Sequence, residues 1–329
     1  MKVPVLVSAA AVMMFSLATT DAHAQHMNAV VDLLAAKKPV FGVYIPSNRR
    51  AGRGGPALPP DSVKTPAHLS VDALANKTAD FIFDGTMEGD FDKAYPTFAE
   101  FMKGLSTAGM VSKSPARLSH PMYVKTHKLA EDYAKAGERI AKQLNMGVNN
   151  ITFVEVESAA EAIKGLNMMR FKSRGGTRPD DVGGAPAMWG MSEKEYKDKA
   201  DVWPLNPKGE LVNFTIVESK VGLAHVREIA AVKGIGVLFP GAGTLRNDVF
   251  TTTDSTGKRV FDEKGWEAAI QQVLAACKEF KVPCGYPARE DDIVMRMKQG
   301  FSVFIINWGD AGFRAVDLGR KTAGRSATN

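Results

Sequence analysis

Glu218 closes the apolar run Asn213-Phe-Thr-Ile-Val-Glu218, and a second run, Ile235-Gly-Val-Leu-Phe239, ends in Pro240-Gly-Ala-Gly-Thr-Leu245. A short β-branched run reads as a buried parallel strand, and a carboxylate at its C-terminal end sits where α/β barrels do their chemistry. The Gly-rich turn after the next strand offers backbone N–H groups nearby. An acid facing such a turn suits a divalent cation holding a small oxyacid. A capped strand end is the plainer alternative.

Eight candidate strands separated by helical patterns would position these groups: Val40–Ile45, Asp80–Asp84, Pro121–Lys125, Ile151–Val156, Asn213–Glu218, Ile235–Phe239, Lys281–Gly285 and Phe301–Ile306. Between them, Ser158-Ala-Ala-Glu161 is a capping box opening a helix whose Ala162, Ile163, Leu166 and Met169 recur at helical spacing. Trp266, Ile270, Val273, Leu274 and Cys277 form another apolar stripe. This alternation predicts a single TIM (β/α)8 barrel, with a doubly wound sheet as the alternative; no G-x-G-x-x-G turn follows the first strand. The strand ends then supply the site candidates: Asp84 with Glu88, Lys125 with His127, Glu155 with Glu157, Glu218, Pro240 to Thr244, and Asn307 with Trp308. Carboxylates converging on one mouth need a neutralising cation, and oxygen ligands of this kind suit Mg2+ or Mn2+. Glu155 and Glu157 read better as the acidic start of the next helix.

Two irregular stretches, Asn48–Pro60 with Arg49, Arg50 and Arg53, and residues 171–210 with Trp189 and Trp203, are expected to leave the C-terminal face as substrate loops. Lys2 precedes the apolar stretch Val3–Leu17, and Ala22-His-Ala24 is a small-x-small cleavage signal. Residues 1–24 therefore read as a secretory signal peptide, leaving 25–329 as one mature domain in a periplasm or outside the cell. No later run is long and apolar enough to span a bilayer. Composition is that of a globular protein, 45% hydrophobic and 24% charged, with a net charge of +6. The basic residues are spread out and no nucleic-acid-binding motif accompanies them, so the charge implies attraction for anionic small molecules. Cys277 and Cys284 lack metal-ligand neighbours. In an oxidising compartment they are candidates for a disulfide, which sequence cannot decide.

Several ordered motifs resemble the HpcH/HpaI aldolase family, which includes 4-hydroxy-2-oxoheptanedioate aldolase and is related to citrate lyase β-type barrels. They are Asp80-Phe-Ile-Phe-Asp84, Leu144-Asn-Met-Gly147, Val156-Glu-Ser-Ala-Ala-Glu-Ala162, Trp189-Gly190 with Tyr196, Val217-Glu-Ser-Lys220, Glu228–Gly234, the Phe239–Leu245 turn, and Gly300-Phe301 with Asp310 and Gly312. The resemblance implies an oligomeric barrel that binds Mg2+, Mn2+ or Co2+ and makes or cleaves the bond between a pyruvate-type oxo acid and an aldehyde. It assigns Glu218 to the metal and Gly241, Ala242 and Gly243 to the oxo-acid carboxylate. The chain departs from the pattern at four places. Thr244 stands where the family has its second metal ligand, with Asp248 four residues on. The base motif reads Asp84-Gly-Thr-Met-Glu-Gly89 without His, leaving Glu88 or Asp84 to serve. Asn145 replaces the Asp partner of that His, and Lys125 replaces the substrate-gripping Arg.

The expected activity is a divalent-metal-dependent carbon–carbon lyase. Glu218 and Asp248 or Thr244 would sit at the metal, with Glu88 as base and Lys125 and the loop residue Arg174 gripping the anion. Two alternatives remain: a Schiff-base lyase with Lys125 as nucleophile, and a non-catalytic barrel that binds small acids.

Overall fold

The computed structural model describes residues 26–48, 59, 62–113 and 116–327. The proposed signal peptide and the arginines at 49, 50 and 53 lie outside these residues. The eight runs anticipated from hydrophobicity correspond to β1 (Val40–Tyr44), β2 (Phe81–Asp84), β3 (Met122–Lys125), β4 (Asn150–Phe153), β5 (Leu211–Val217), β6 (Val237–Pro240), β7 (Gly285–Tyr286) and β8 (Val303–Ile306), although the expected Lys281–Gly285 run meets β7 only at Gly285. They form one curled sheet in the order β7-β8-β1-β2-β3-β4-β5-β6, parallel throughout. At its two ends the backbone N–H of Leu238 in β6 donates to the carbonyl of Pro283, 3.0 Å away, and Leu238 makes an isolated bridge to Cys284 just before β7. Helices join successive strands and cover the convex face, an α/β architecture of barrel-like curvature.

Strand pleating sorts the side chains into two cores, because alternate residues point to opposite faces. Val40, Phe81, Phe83, Tyr123, Phe214, Ile216, Phe239 and Ile305 fill the concave side. Phe41, Ile82, Val124, Ile151, Val217, Leu238 and Phe304 face the covering helices. The concave core is largely aromatic, with Phe81 stacked on Tyr123 at 4.4 Å and Phe214 edge-on to Tyr123 at 5.1 Å. Gly42 and Gly285 leave room for this filling; a Cβ at either would collide with the ring of Phe81 or Phe239. Val30, Val31 and Leu34 of the helix Ala29–Ala35 belong to the same core. Asn28 at its N-cap donates to the Tyr123 hydroxyl at 3.1 Å.

The structure departs from the sequence reading in the irregular stretch 171–210. It follows the helix Ala159–Met169, so it returns the chain to the N-terminal ends of the strands and not to the C-terminal face. Trp189 is buried there, donating from Nε1 to the Gly147 carbonyl at 2.7 Å, and a short strand, Val202–Trp203, pairs with the start of β5. The anticipated capping box at Ser158 is only half made: Ser158 accepts from the Glu161 N–H, while the Glu161 carboxylate accepts from the Glu157 N–H. The complete box is at Ser192 and Glu195. Cys277 and Cys284 form a disulfide. No helix among the described residues is long and apolar enough to cross a membrane.

Asp80, just before β2, clamps the C-terminal segment. Its carboxylate accepts from the Phe41 N–H at 2.8 Å, from both terminal nitrogens of Arg325 at 2.7 Å, and from Arg320 at 3.1 Å. Breaking a buried pair by removing one partner strands the other charge, at a cost of about 3–5 kcal/mol. Asp80→Ala is therefore expected to lose about that much in urea denaturation. A loss under about 1 kcal/mol, the value of a surface pair, would show that the clamp carries little.

Candidate functional site

The pleat that builds the concave core also selects the groups at its open end. Two residues beyond Tyr123 comes Lys125, two beyond Ile216 comes Glu218, two beyond Phe239 comes Gly241, and two beyond Ile305 comes Asn307. All four line a cavity of about 360 Å3 at the C-terminal ends of the strands, with Tyr44, Ala242, Gly243 and Thr244. Arg246, Trp266, Tyr286, Arg289 and Asp292 complete its rim. Asp84 follows the inward Phe83 by one residue, and so falls on the other face. It is buried and accepts from the Thr86 N–H and hydroxyl at 2.8 and 2.7 Å, outside the cavity.

Glu218 is the most constrained polar group of the mouth. It is 6% exposed, and its Oε1 accepts from the Glu155 backbone N–H at 3.1 Å. Glu155 adopts φ +49°, a left-handed conformation that non-glycine residues enter at a cost, and that conformation accompanies the N–H aimed at the carboxylate. Gly241 packs directly on the other side of Glu218, where a Cβ would overlap the carboxylate. Burial raises the Glu218 pKa above its ordinary 4.5, only partly opposed by a hydrogen bond with the Thr244 side chain and by the Lys125 charge. Ionised Glu218 is thus a buried anion whose neighbours do not fully neutralise it.

Lys125 makes an ion pair with Glu88 at 2.8 Å and is tucked in beside it. Burial pulls its pKa down, but the Glu88 carboxylate, with smaller contributions from Tyr44 and the Glu218 carboxylate, outweighs burial, and the net shift is upward. The ammonium form is favoured. Glu88 is tied to the cavity through this pair without being one of its walls. His127 places Nδ1 2.8 Å from the Glu88 carbonyl and Nε2 2.7 Å from the Glu131 carboxylate, so it buttresses the loop that carries Glu88.

Besides Asp84, two further sequence candidates are not brought to this cavity. Asp248 is exposed on the turn Leu245–Val249. Arg174 lies in the stretch that returns to the N-terminal face, paired with Asp198. Sequence reasoning missed Tyr44, which ends β1 and was legible by the same strand-end rule, and Tyr286, which ends β7. It also missed Trp266, whose indole N–H donates to the Ala242 carbonyl at 2.9 Å and braces the Gly-rich turn. Arg246 and Arg289 carried no sequence signal beyond following strands.

Among the described residues, no three His, Cys, Asp or Glu side chains gather to hold a metal by themselves. The donor set still suits a hard cation shared with a ligand: one buried, under-neutralised carboxylate and the Thr244 hydroxyl. Mg2+ commonly takes only one or two carboxylates, filling its remaining positions with water and substrate oxygens.

The family model described as HpcH/HpaI aldolase/citrate lyase matches residues 119–296, just over half of the chain. Two curated relatives are both hydroxypyruvate/pyruvate aldolases. One, from Paraburkholderia phytofirmans, is 26% identical over 182 residues, covering 54% of this chain and 60% of the relative. The other, from Delftia acidovorans, is 29% identical over 154 residues, covering 46% and 52%. The matched stretch thus spans only about half to three fifths of the relatives' length. Among solved structures, an HpcH/HpaI aldolase/citrate lyase family protein from Burkholderia cenocepacia J2315 superposes with a TM-score of 0.59 at 20% identity, covering 85% of this chain and 92% of the other. Macrophomate synthase gives 0.57 at 17% identity, covering 91% and 86%. At these identities the likeness concerns the fold.

The Glu218 environment has a pH signature. A carboxylate whose folded pKa is raised binds its proton more tightly in the folded state, so its contribution to stability is fully present below the ordinary 4.5 and is lost as pH rises through the folded value. Glu218→Gln removes this penalty. Its melting temperature is expected to gain on the wild type as pH rises from below 4.5 to neutrality. A constant gap between the two across that range would show that Glu218 is not strained by burial.

Proposed function

The chain belongs to the HpcH/HpaI aldolase/citrate lyase family, and from that premise we propose that it is a divalent-metal-dependent carbon–carbon lyase. Its substrate is a small 2-oxo acid, joined to or released with an aldehyde. The observation that carries this reading is the buried Glu218 carboxylate, facing the Gly241–Thr244 turn and the Lys125 ammonium across one small cavity. We also read the curled sheet as a closed (β/α)8 barrel, supported by the contact of Leu238 with Pro283 and Cys284 between its two ends.

In this reading Glu218 and the Thr244 hydroxyl hold Mg2+, Mn2+ or Co2+. When bound, the cation supplies Lewis-acid polarisation of the oxo acid. The turn at Gly241, Ala242 and Gly243, held by Trp266, receives the oxo-acid carboxylate. Lys125, kept as an ammonium, attracts and orients the anion. Glu88, 2.8 Å from Lys125 though not itself a cavity wall, would take the proton of the substrate hydroxyl as the carbon–carbon bond breaks and its electron pair passes to the oxo acid, and would then return that proton to the oxo-acid carbon, with Lys125 staying an ammonium beside it. The same protonation argues against a Schiff-base lyase, since an amine nucleophile must be neutral. Asp84 acts by positioning the Thr86 turn that leads into Glu88. A non-catalytic acid-binding role is the second reading, favoured by Thr244 in place of a second carboxylate ligand. We further propose export and homo-oligomerisation. The leader-like residues 1–24 and the Cys277–Cys284 disulfide, a bond typical of oxidising compartments, support export; the family resemblance alone supports oligomerisation.

Two measurements test the reading. Mn2+ is expected to raise the melting temperature of wild-type protein near neutral pH and to leave Glu218→Ala unmoved, since a ligand that binds only the folded state stabilises it. With Mn2+, wild-type protein is expected to release an oxo acid from 4-hydroxy-2-oxo acids, detected by coupled oxidation of NADH. Lys125→Ala should reduce kcat/KM by about 100-fold or more, on the scale of a lost charged transition-state contact. Mn2+ binding without turnover across a panel of such acids would favour the binding role; no Mn2+ effect on wild type would remove the metal.

A further inference from the structure

A second cavity, of about 880 Å3, opens at the opposite end of the sheet from the catalytic mouth. Its walls include residues just before β1, β6, β7 and β8, so it belongs to the N-terminal face and shares no residue with the first cavity. Five lysines line it: Lys37, Lys38, Lys233, Lys278 and Lys281. No aspartate or glutamate does, and none of the five makes an ion pair among the described residues.

Helix ends account for part of this. Lys37 follows the helix Ala29–Ala35, and Lys278 and Lys281 close the helix Glu263–Phe280, where exposed carbonyls attract cations. They do not account for what lies between the lysines. Trp203, Leu205 and Phe280 line the same trough, with Leu205 42% and Phe280 36% exposed. Apolar side chains left open to water inside a concave basic surface cost free energy that a ligand would recover. The volume falls within the roughly 300–1,000 Å3 typical of small-molecule pockets.

We propose that this trough binds a small amphipathic organic anion, an apolar chain or ring bearing a carboxylate or phosphate. The apolar body lies against Trp203, Leu205 and Phe280, and the lysines surround the charged head. Concavity favours a single small molecule over a flat membrane surface. Because Trp203 is itself a wall, occupancy is expected to change its fluorescence.

The test uses the full chain with dodecanoate and dodecyl phosphate below their micellar concentrations, read by calorimetry and tryptophan fluorescence, with dodecanol as the neutral control. Binding of both anions near one per chain is expected, weakened about tenfold or more, 1.4 kcal/mol, in Lys233→Glu/Lys281→Glu. It should weaken also in the milder Lys233→Gln/Lys281→Gln, in case the charge reversal disturbs folding. Glu218→Ala should bind as wild type does, because it belongs to the other cavity, and Trp203→Phe should lose the fluorescence change. Dodecanol binding as tightly as the anions, or lysine variants that bind unchanged, would overturn the proposal. So would binding confined to phosphatidylglycerol vesicles, which would assign the face to a membrane surface.

Discussion

The structure depends most on one juxtaposition, the carboxylate of Glu218 pressed against a residue that has no side chain. Gly241 lets the β6 turn approach so closely that nothing larger than hydrogen fits between them. From the other side, Glu155 adopts a left-handed backbone conformation to deliver one N–H. These neighbours fix the carboxylate without cancelling its charge, which is the condition under which an acid group recruits a cation or a proton. Every other element of the mouth surrounds that group: Lys125 and Glu88 across the cavity, Thr244 beside it, and Trp266 behind the turn.

Much of this was readable from sequence because it follows from period-two geometry. The runs ending in Lys125, Glu218 and Asn307 carry their last inward apolar residue two positions earlier, so the polar group had to arrive at the concave end. The same arithmetic, applied to Asp84, would have removed it from the mouth, since Phe83 already points inward. Glu218 and the Gly-rich turn were found by being unusual in composition at strand ends. Tyr44 obeyed the same rule but carries no charge to draw attention; Tyr286 did not, since its neighbour Gly285 is the inward residue.

What sequence could not supply was the side of the sheet to which a long connection returns. Residues 171–210 look like a substrate loop by composition, rich in Gly, Asp and Pro with two tryptophans. Their position after a helix commits them to the other face, taking Arg174 away from the chemistry and Trp203 to the lysine-lined trough. Asp248 fails for a local reason: four residues after Thr244, on a turn of helical character, its side chain points outward to solvent. The family likeness conveys the architecture well, yet at Thr244, Asn145 and Lys125 it says only what has been replaced.

The helix Glu263–Phe280 is held at both of its ends by different means. Near its start, the Trp266 indole grips the Ala242 carbonyl at the mouth; near its finish, Cys277 is bonded to Cys284 at the opposite face. An 18-residue helix spans about 27 Å, so it acts as a strut running the depth of the fold, with a hydrogen bond for one pin and a covalent bond for the other. The turn that faces Glu218 is therefore referenced to the far side of the molecule and not to its own loop. The hairpin of Thr251–Thr253 and Arg259–Phe261 hangs from the segment between that turn and the strut. Its Phe261 lies edge-on to Trp266 and beneath the Arg246 guanidinium, so the hairpin is fastened to the same pin that holds the turn.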